Sequence, residues 1–303
     1  MKTLRVFIIL LAVFVLFSQQ SKAEEDSCLG DTEVSIKDVK KALAPILGNA
    51  KIVSVTTAPV EGLYEVVVEL NGRKLPIYVD CNLRYLISGE IIDIKEKKSL
   101  TREKIAKLNQ QALKEKIAEL EKRLGKEKVE KIKKAFGEKF LSRLKVVSLD
   151  KLPQKGRVIF GNPNAPITVY VITDPQCPFC ARLHKEIEKV LAKRKDVKFE
   201  MIFFPLPFHS QAKPVATAIL CEKNNEARKR KLVQAFKSQS NIEKFKELAD
   251  KSCSEAKEIL SENLEFAKSI GVRGTPTLIF PHGVAISGAI PAQVIEKLID
   301  VLK

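Results

Sequence analysis

Six cysteines carry the most reactive chemistry in this 303-residue sequence. Two stand close together in Cys177-Pro178-Phe179-Cys180, directly after the apolar, β-branched run Ile167 to Thr173, which reads as a buried strand. After them, Leu183, Ile187, Val190 and Leu191 recur on one face of a helix. A strand-to-helix turn makes a thiol more acidic, because unpaired backbone N–H groups and the helix dipole stabilise the thiolate. Cys177 is therefore expected as the attacking nucleophile and Cys180 as the more sheltered, resolving thiol. Pro178 suits the first helical position. The alternative use of such a pair is a zinc knuckle, but the sequence has no second Cys-x-x-Cys and no nearby histidine pair to complete one.

The other four cysteines read as structural. Cys221 and Cys253 lie in a helical stretch, and a bridge between them would close a loop of roughly 33 residues, worth about 3.5 to 4 kcal/mol in a chain-entropy picture. Cys28 and Cys81 are then left to each other, with two free thiols or an intermolecular bond as the open alternatives. In Gly274-Thr275-Pro276-Thr277 a proline opens a strand. A cis Thr275-Pro276 bond would leave the Thr275 backbone as an edge for an extended peptide, and an ordinary trans turn is the other possibility. His184 follows Cys180 by four residues, so it either influences the thiol or packs at its rim. His209 and His282 fall in loops and are assigned no role.

The elements that must position these groups are legible in the hydrophobic pattern. Lys2 and Arg5 precede an apolar run from Val6 to Phe17 and the small residues Ser21 and Ala23, so residues 1–23 read as a secretory signal. Residues 24–94 read as a small α+β domain. Its helix begins at Ser35, and four β-rich runs follow over Ile52 to Thr57, Tyr64 to Leu70, Leu75 to Val79 and Tyr85 to Ile94, with a hairpin turn at Asn71-Gly72. Residues 95–150 read as a helical linker broken near Gly125 and Gly137. Its narrow apolar stripe must pack on the sheet domain or on a second copy of itself. Residues 151–303 form a βαβ unit, an all-helical insertion from about Ala212 to Ile270, two short strands and a closing helix opened by Pro291.

The net charge is +16, and 18 Lys and Arg face 8 Glu between Lys95 and Lys145. These charges lie beside an apolar stripe and no aromatic residue is interleaved among them before Phe136, so a solvated helix face is read in preference to a nucleic-acid surface. The hydrophobic fraction of 45% excludes a disordered chain, and outside the signal no run is long enough to cross a bilayer.

With these motifs in place, the sequence resembles the periplasmic thiol:disulfide interchange proteins of the DsbC/DsbG type over nearly its whole mature length. The resemblance rests on YVDCNLRYLISGEIID from Tyr78, the helical linker, TDPQCPFCARLHKE from Thr173, the Cys221 and Cys253 pair, and GTPTLIF from Gly274. It implies an α/β thioredoxin-like C-terminal domain with a helical insertion, and an N-terminal α+β domain that joins two copies into a V-shaped homodimer. It further implies Cys177 and Cys180 as the redox pair, Thr275 and Pro276 as the substrate-contacting loop, misfolded exported proteins as substrates, and a membrane thiol reductase as recycling partner. No cofactor or metal is implied. The expected reaction is disulfide isomerisation or reduction, with a dithiol oxidase and a holdase-type chaperone as alternatives.

Overall fold

The computed structural model describes residues 34–48, 50–70 and 72–303. The signal segment and Cys28 lie outside them. Among the described residues no helix is long and apolar enough to cross a membrane. The described residues divide into two compact units, one ending at Gln111 and the other running from Ala112 to Lys303.

In the first unit, helix α1 (Ile36–Leu47) is capped by Ser35, whose hydroxyl accepts from the Asp38 N–H at 3.2 Å. Its inner residues Val39 and Leu43 meet Val66, Val68, Ile77 and Val79 on one face of an antiparallel sheet. The sheet runs in the order β1 (Lys51–Thr57), β2 (Leu63–Leu70), β3 (Arg73–Asp80) and β4 (Leu86–Ile87). Across the sheet Tyr78 and Thr101 share a buried hydrogen bond of 2.6 Å, and Lys104 pairs with the buried Glu65. The single fourth strand expected over Tyr85 to Ile94 is not formed. After β4 the chain leaves the sheet, and β5 (Ile92–Asp93) pairs instead with β6 (Lys98–Ser99) in a separate ribbon. The side chains of Ile87, Ile92 and Ile94 are exposed, so no core face holds that run in one strand.

The linker also differs from expectation. Helix α2 (Leu100–Leu124) and helix α3 (Lys126–Phe136) do break at Gly125 and Gly137, and a 3₁₀ turn (Glu138–Arg143) follows. The C-terminal part of their apolar stripe packs on the second unit, a surface that the pattern alone did not name. Leu120, Val129, Ile132, Leu141 and Leu144 are fully buried in the same core as the strands and helices of the second unit. The C-terminal end of the linker is thus a structural layer of that unit, and β7 (Leu144–Val146) even joins its sheet.

That sheet has six strands in the order β7-β12-β11-β9-β10-β8. Its centre is β9 (Ile167–Thr173), parallel to β10 (Val197–Phe203) and antiparallel to β11 (Thr277–Ile279). Strands β8 (Val158–Gly161) and β12 (Val284–Ser287) complete it. Helix α4 (Pro178–Lys193) crosses from β9 to β10 and buries Leu183, Ile187 and Val190 on the sheet. The insertion supplies α5 (Ala212–Leu220), α6 (Asn225–Ser238), α7 (Ile242–Lys246) and α8 (Ser254–Ser269), and α9 (Ala292–Leu302) closes the chain. At the turn before β12, Gly283 has φ +73°, and a Cβ there would lie 2.2 Å from Val147 O, so only glycine fits.

Candidate active site

Strand β9 ends at Thr173, and four residues later Cys177 caps α4 with extended dihedrals, φ −77° and ψ 121°. Cys177 thereby sits where the helix leaves its N–H groups unpaired, and Pro178 takes the first helical position, where a missing N–H costs nothing. One turn on, Cys180 returns to the same end of the helix, its N–H bonded to Cys177 O at 3.0 Å. Both thiols are free, and both residues are buried at 3% and 2% exposure, so the expected contrast in shelter is small.

The contrast lies in their acidity. The Cys177 pKa falls from 9.0 to about 5, chiefly through a hydrogen bond from the Cys180 side chain, against an opposing effect of burial. The Thr275 side chain and the N–H groups of Cys180 and Phe179 add to the lowering. Cys180 moves the other way: burial pushes it well above 9.0, and the Cys177 sulfur beside it adds to the rise. Thr173 and Thr275 offset part of that shift. A nucleophilic thiolate and a protonated reserve thiol thus share one helical turn.

Opposite them stands the loop expected from Gly274-Thr275-Pro276. The Thr275–Pro276 bond is cis, and Cys177 Sγ lies 3.5 Å from Thr275 O. Residues about a hundred positions apart are brought together because β11 pairs with β9, aligning Thr277 with Ile172.

Several side chains that sequence reasoning passed over hold the loop before Cys177. Asp174 is fully buried, and its carboxylate accepts from the N–H groups of Gln176 at 2.7 Å and Leu206 at 2.8 Å, and bonds His209 Nδ1 at 2.8 Å. Its own N–H points to Cys180 Sγ at 3.4 Å. Gln176 accepts from the Gln211 N–H, and Gln239 donates to the carbonyl oxygens of Pro175 and Cys177 at 2.9 and 3.0 Å. The Asp-Pro pair signalled a turn, but nothing in the sequence signalled its partners 32 to 64 residues on. Phe179 and Phe208, at 52% and 77% exposure, present aromatic surface on this side of the unit.

His184 takes the packing role of its two expected alternatives. It is buried between Phe160 and Phe236. His282 lies in the tight turn before β12 with φ +60°. Cys221 and Cys253 are joined in the insertion with Cα atoms 5.9 Å apart. Cys81 is disulfide-bonded, and Cys28, its expected partner, lies outside the described residues. Among the described residues no three His, Cys, Asp or Glu side chains gather as metal ligands.

Comparison with known proteins adds two sequence families. One, described as a thioredoxin-like domain, matches residues 155–303. The other, described as the disulfide bond isomerase protein N-terminal domain, matches residues 18–102. Among solved structures, a periplasmic thioredoxin-like protein from Salmonella enterica serovar Typhimurium is similar over 50% of this chain and 92% of its own, at 22% identity and a TM-score of 0.43. ScsC of Proteus mirabilis in a transitional conformation is similar over 66% of this chain and 95% of its own, at 18% identity and a TM-score of 0.45. A disulfide interchange protein from Neisseria gonorrhoeae is similar over 51% and 97%, at 28% identity and a TM-score of 0.39. No curated protein matches the chain by sequence.

Proposed function

From the premise that this chain is a thiol-disulfide oxidoreductase of DsbC type, with a disulfide bond isomerase N-terminal domain followed by a thioredoxin-like domain, we propose that it isomerises wrong disulfides in exported proteins. The observation that carries this reading is the opposed acidity of Cys177 and Cys180 within one helical turn, facing Thr275 O. The Cys177 thiolate attacks one sulfur of a substrate disulfide, forming a mixed disulfide and releasing the other sulfur as a thiolate. A second substrate thiolate then attacks the substrate sulfur of the mixed disulfide, making a new substrate disulfide and freeing Cys177, with no net change of oxidation state. When that attack fails, Cys180 loses its proton and displaces the substrate. Two electrons then pass to the substrate, leaving it as a dithiol and the protein with a Cys177–Cys180 disulfide. A membrane thiol reductase in the periplasm would return the pair to the dithiol.

On this reading Thr275 and Pro276 bind the substrate backbone, Cys221–Cys253 and Cys81 with Cys28 are structural, residues 1–23 export the chain, and residues 24–94 pair two copies. A domain of that size has little core of its own and gains by burying a sheet edge against a partner. One observation favours a second reading. A Cys177 pKa of about 5 stabilises the dithiol form, which also makes the disulfide form a strong oxidant.

The test compares the mature chain with a fragment beginning at Ala112, by sedimentation, small-disulfide reduction and rescue of a scrambled multi-disulfide protein. The mature chain should be a dimer and isomerise. The fragment should be a monomer that reduces the small disulfide and fails to rescue. A monomeric mature chain, or an equally competent fragment, refutes the proposal, and transfer of the Cys177–Cys180 disulfide to a reduced substrate without reshuffling identifies an oxidase.

A further inference from the structure

Beside the cysteines a groove of about 690 Å³ runs between α4 and α6, and the exchange chemistry does not use it. Pro178, Ala181, Val233 and Phe236 give it apolar walls. Arg182, Lys185 and Lys237 also line it, against one acid, Glu188.

His184 contributes to its wall at 5% exposure, edge-on to Phe160 at 4.8 Å and tilted against Phe236 at 5.3 Å. Neither ring nitrogen has a hydrogen-bond partner. Nε2 is 3.5 Å from Glu188 Oε1, outside bonding geometry, and the Glu188 side chain is 60% exposed and able to swing aside. Burial lowers the His184 pKa, Lys237 adds to the lowering and Glu188 opposes it, so the neutral ring offers one N–H and one acceptor. An apolar side chain would fill this space without leaving polar atoms unpaired, so the imidazole points to a partner that the groove receives.

Charge selects the class of that partner. Three cations against one carboxylate, on apolar walls, suit an anion with an apolar body. The Arg182 guanidinium lies 5.2 Å from the Phe179 ring, so the cationic wall continues onto the dipeptide between the two cysteines. Pro178 at the groove's end directly follows Cys177, and Gln239, which also lines it, holds Cys177 O. We infer that the groove receives an acidic side chain and its apolar neighbour from the peptide segment flanking the disulfide under exchange. This specificity rests on the exchange reading above.

The test uses the reduced mature chain and two cysteine-free peptides that differ only in charge, one alternating Glu with Phe and Leu, the other carrying Lys for each Glu. In NMR titrations the acidic peptide should shift amide signals within 178–188 and 233–240 and bind about tenfold tighter than the basic one or better. Lys185→Glu with Lys237→Glu, both at exposed positions, should abolish that preference. His184→Leu should weaken the acidic peptide, and the exposed lysine pair keeps the test open if that core variant does not fold. Equal binding of the two peptides, shifts confined to other segments, or a preference that survives the lysine reversals overturns the proposal. Reduction of hydroxyethyl disulfide by the unaltered chain reads the cysteine pair alone. Its failure would refute the exchange reading, whereas its success without peptide discrimination would refute the groove.

Discussion

Gln239 Nε2 donates to the carbonyl oxygen of Cys177 at 3.0 Å, across 62 positions of sequence. The same nitrogen bonds Pro175 O, so one side chain at the end of an insertion helix straps the loop that presents the nucleophile. Gln239→Ala removes both bonds, and at about 0.5–1.5 kcal/mol net for each it should destabilise the second unit by about 1–2 kcal/mol in urea denaturation. The Cys177 thiolate absorbance near 240 nm should titrate at higher pH, because the loop no longer fixes the sulfur against its donors. An unchanged titration would show that Asp174 and Gln176 hold the loop alone.

The acidity of Cys177 fixes a pH window. With a folded pKa of about 5 against 9.0 unfolded, the folded thiol loses its proton where the unfolded one keeps it. The resulting stability is complete above about 9, declines as pH falls, and is lost below about 5. Cys180, shifted upward, stays protonated across that window. Denaturation of the reduced and oxidised forms from pH 4 to 8 should therefore show the reduced form gaining stability relative to the oxidised one as pH rises. Alkylation of Cys177 should fall about tenfold per pH unit below about 5. Faster alkylation of Cys180 at neutral pH would reverse the assigned roles.

The Cys221–Cys253 bridge spans a sequence separation of 32 within the insertion. Replacing both by alanine should cost about 2–4 kcal/mol, measured by chemical denaturation, and leave Cys177 reactive toward a small disulfide. Non-reducing peptide mapping should recover the two linked to each other. A link from either to Cys177 or Cys180 would show that the insertion takes part in exchange.

Leu120 and Ile132 are fully buried in the core of the second unit. Leu120→Ala or Ile132→Ala should each destabilise that unit by about 2–5 kcal/mol. A fragment starting at Lys145 lacks Leu120, Val129, Ile132, Leu141 and Leu144 and should melt well below one starting at Ala112. Equal melting temperatures would return the linker to the role of a mere spacer.

Much of the site was legible because its signals are local. Cys177, Pro178 and Cys180 are adjacent in sequence, the β-branched run before them and the amphipathic run after them differ in period, and a helix N-terminus acts on whatever residue caps it. The proline after Thr275 likewise marked a special backbone position, although its isomer depends on the surrounding fold. The linker helices too were visible, with their glycine breaks.

What only the tertiary structure decided is which surfaces and side chains meet. An apolar stripe states that a helix must be covered, and not by what; Leu120 and Ile132 found the second unit's core because α3, the 3₁₀ turn and β7 carry the chain directly into that unit's sheet. The run from Tyr85 to Ile94 had the composition of a strand, yet a strand also needs a partner and a core face, and the chain leaves the sheet after Ile87. Asp174, His209 and Gln239 carry no local signature, since a buried hydrogen bond depends on a partner tens of residues away. Chemistry set by the covalent neighbourhood of a residue is therefore written in this sequence, while contacts between distant elements had to wait for the packing that brings them together.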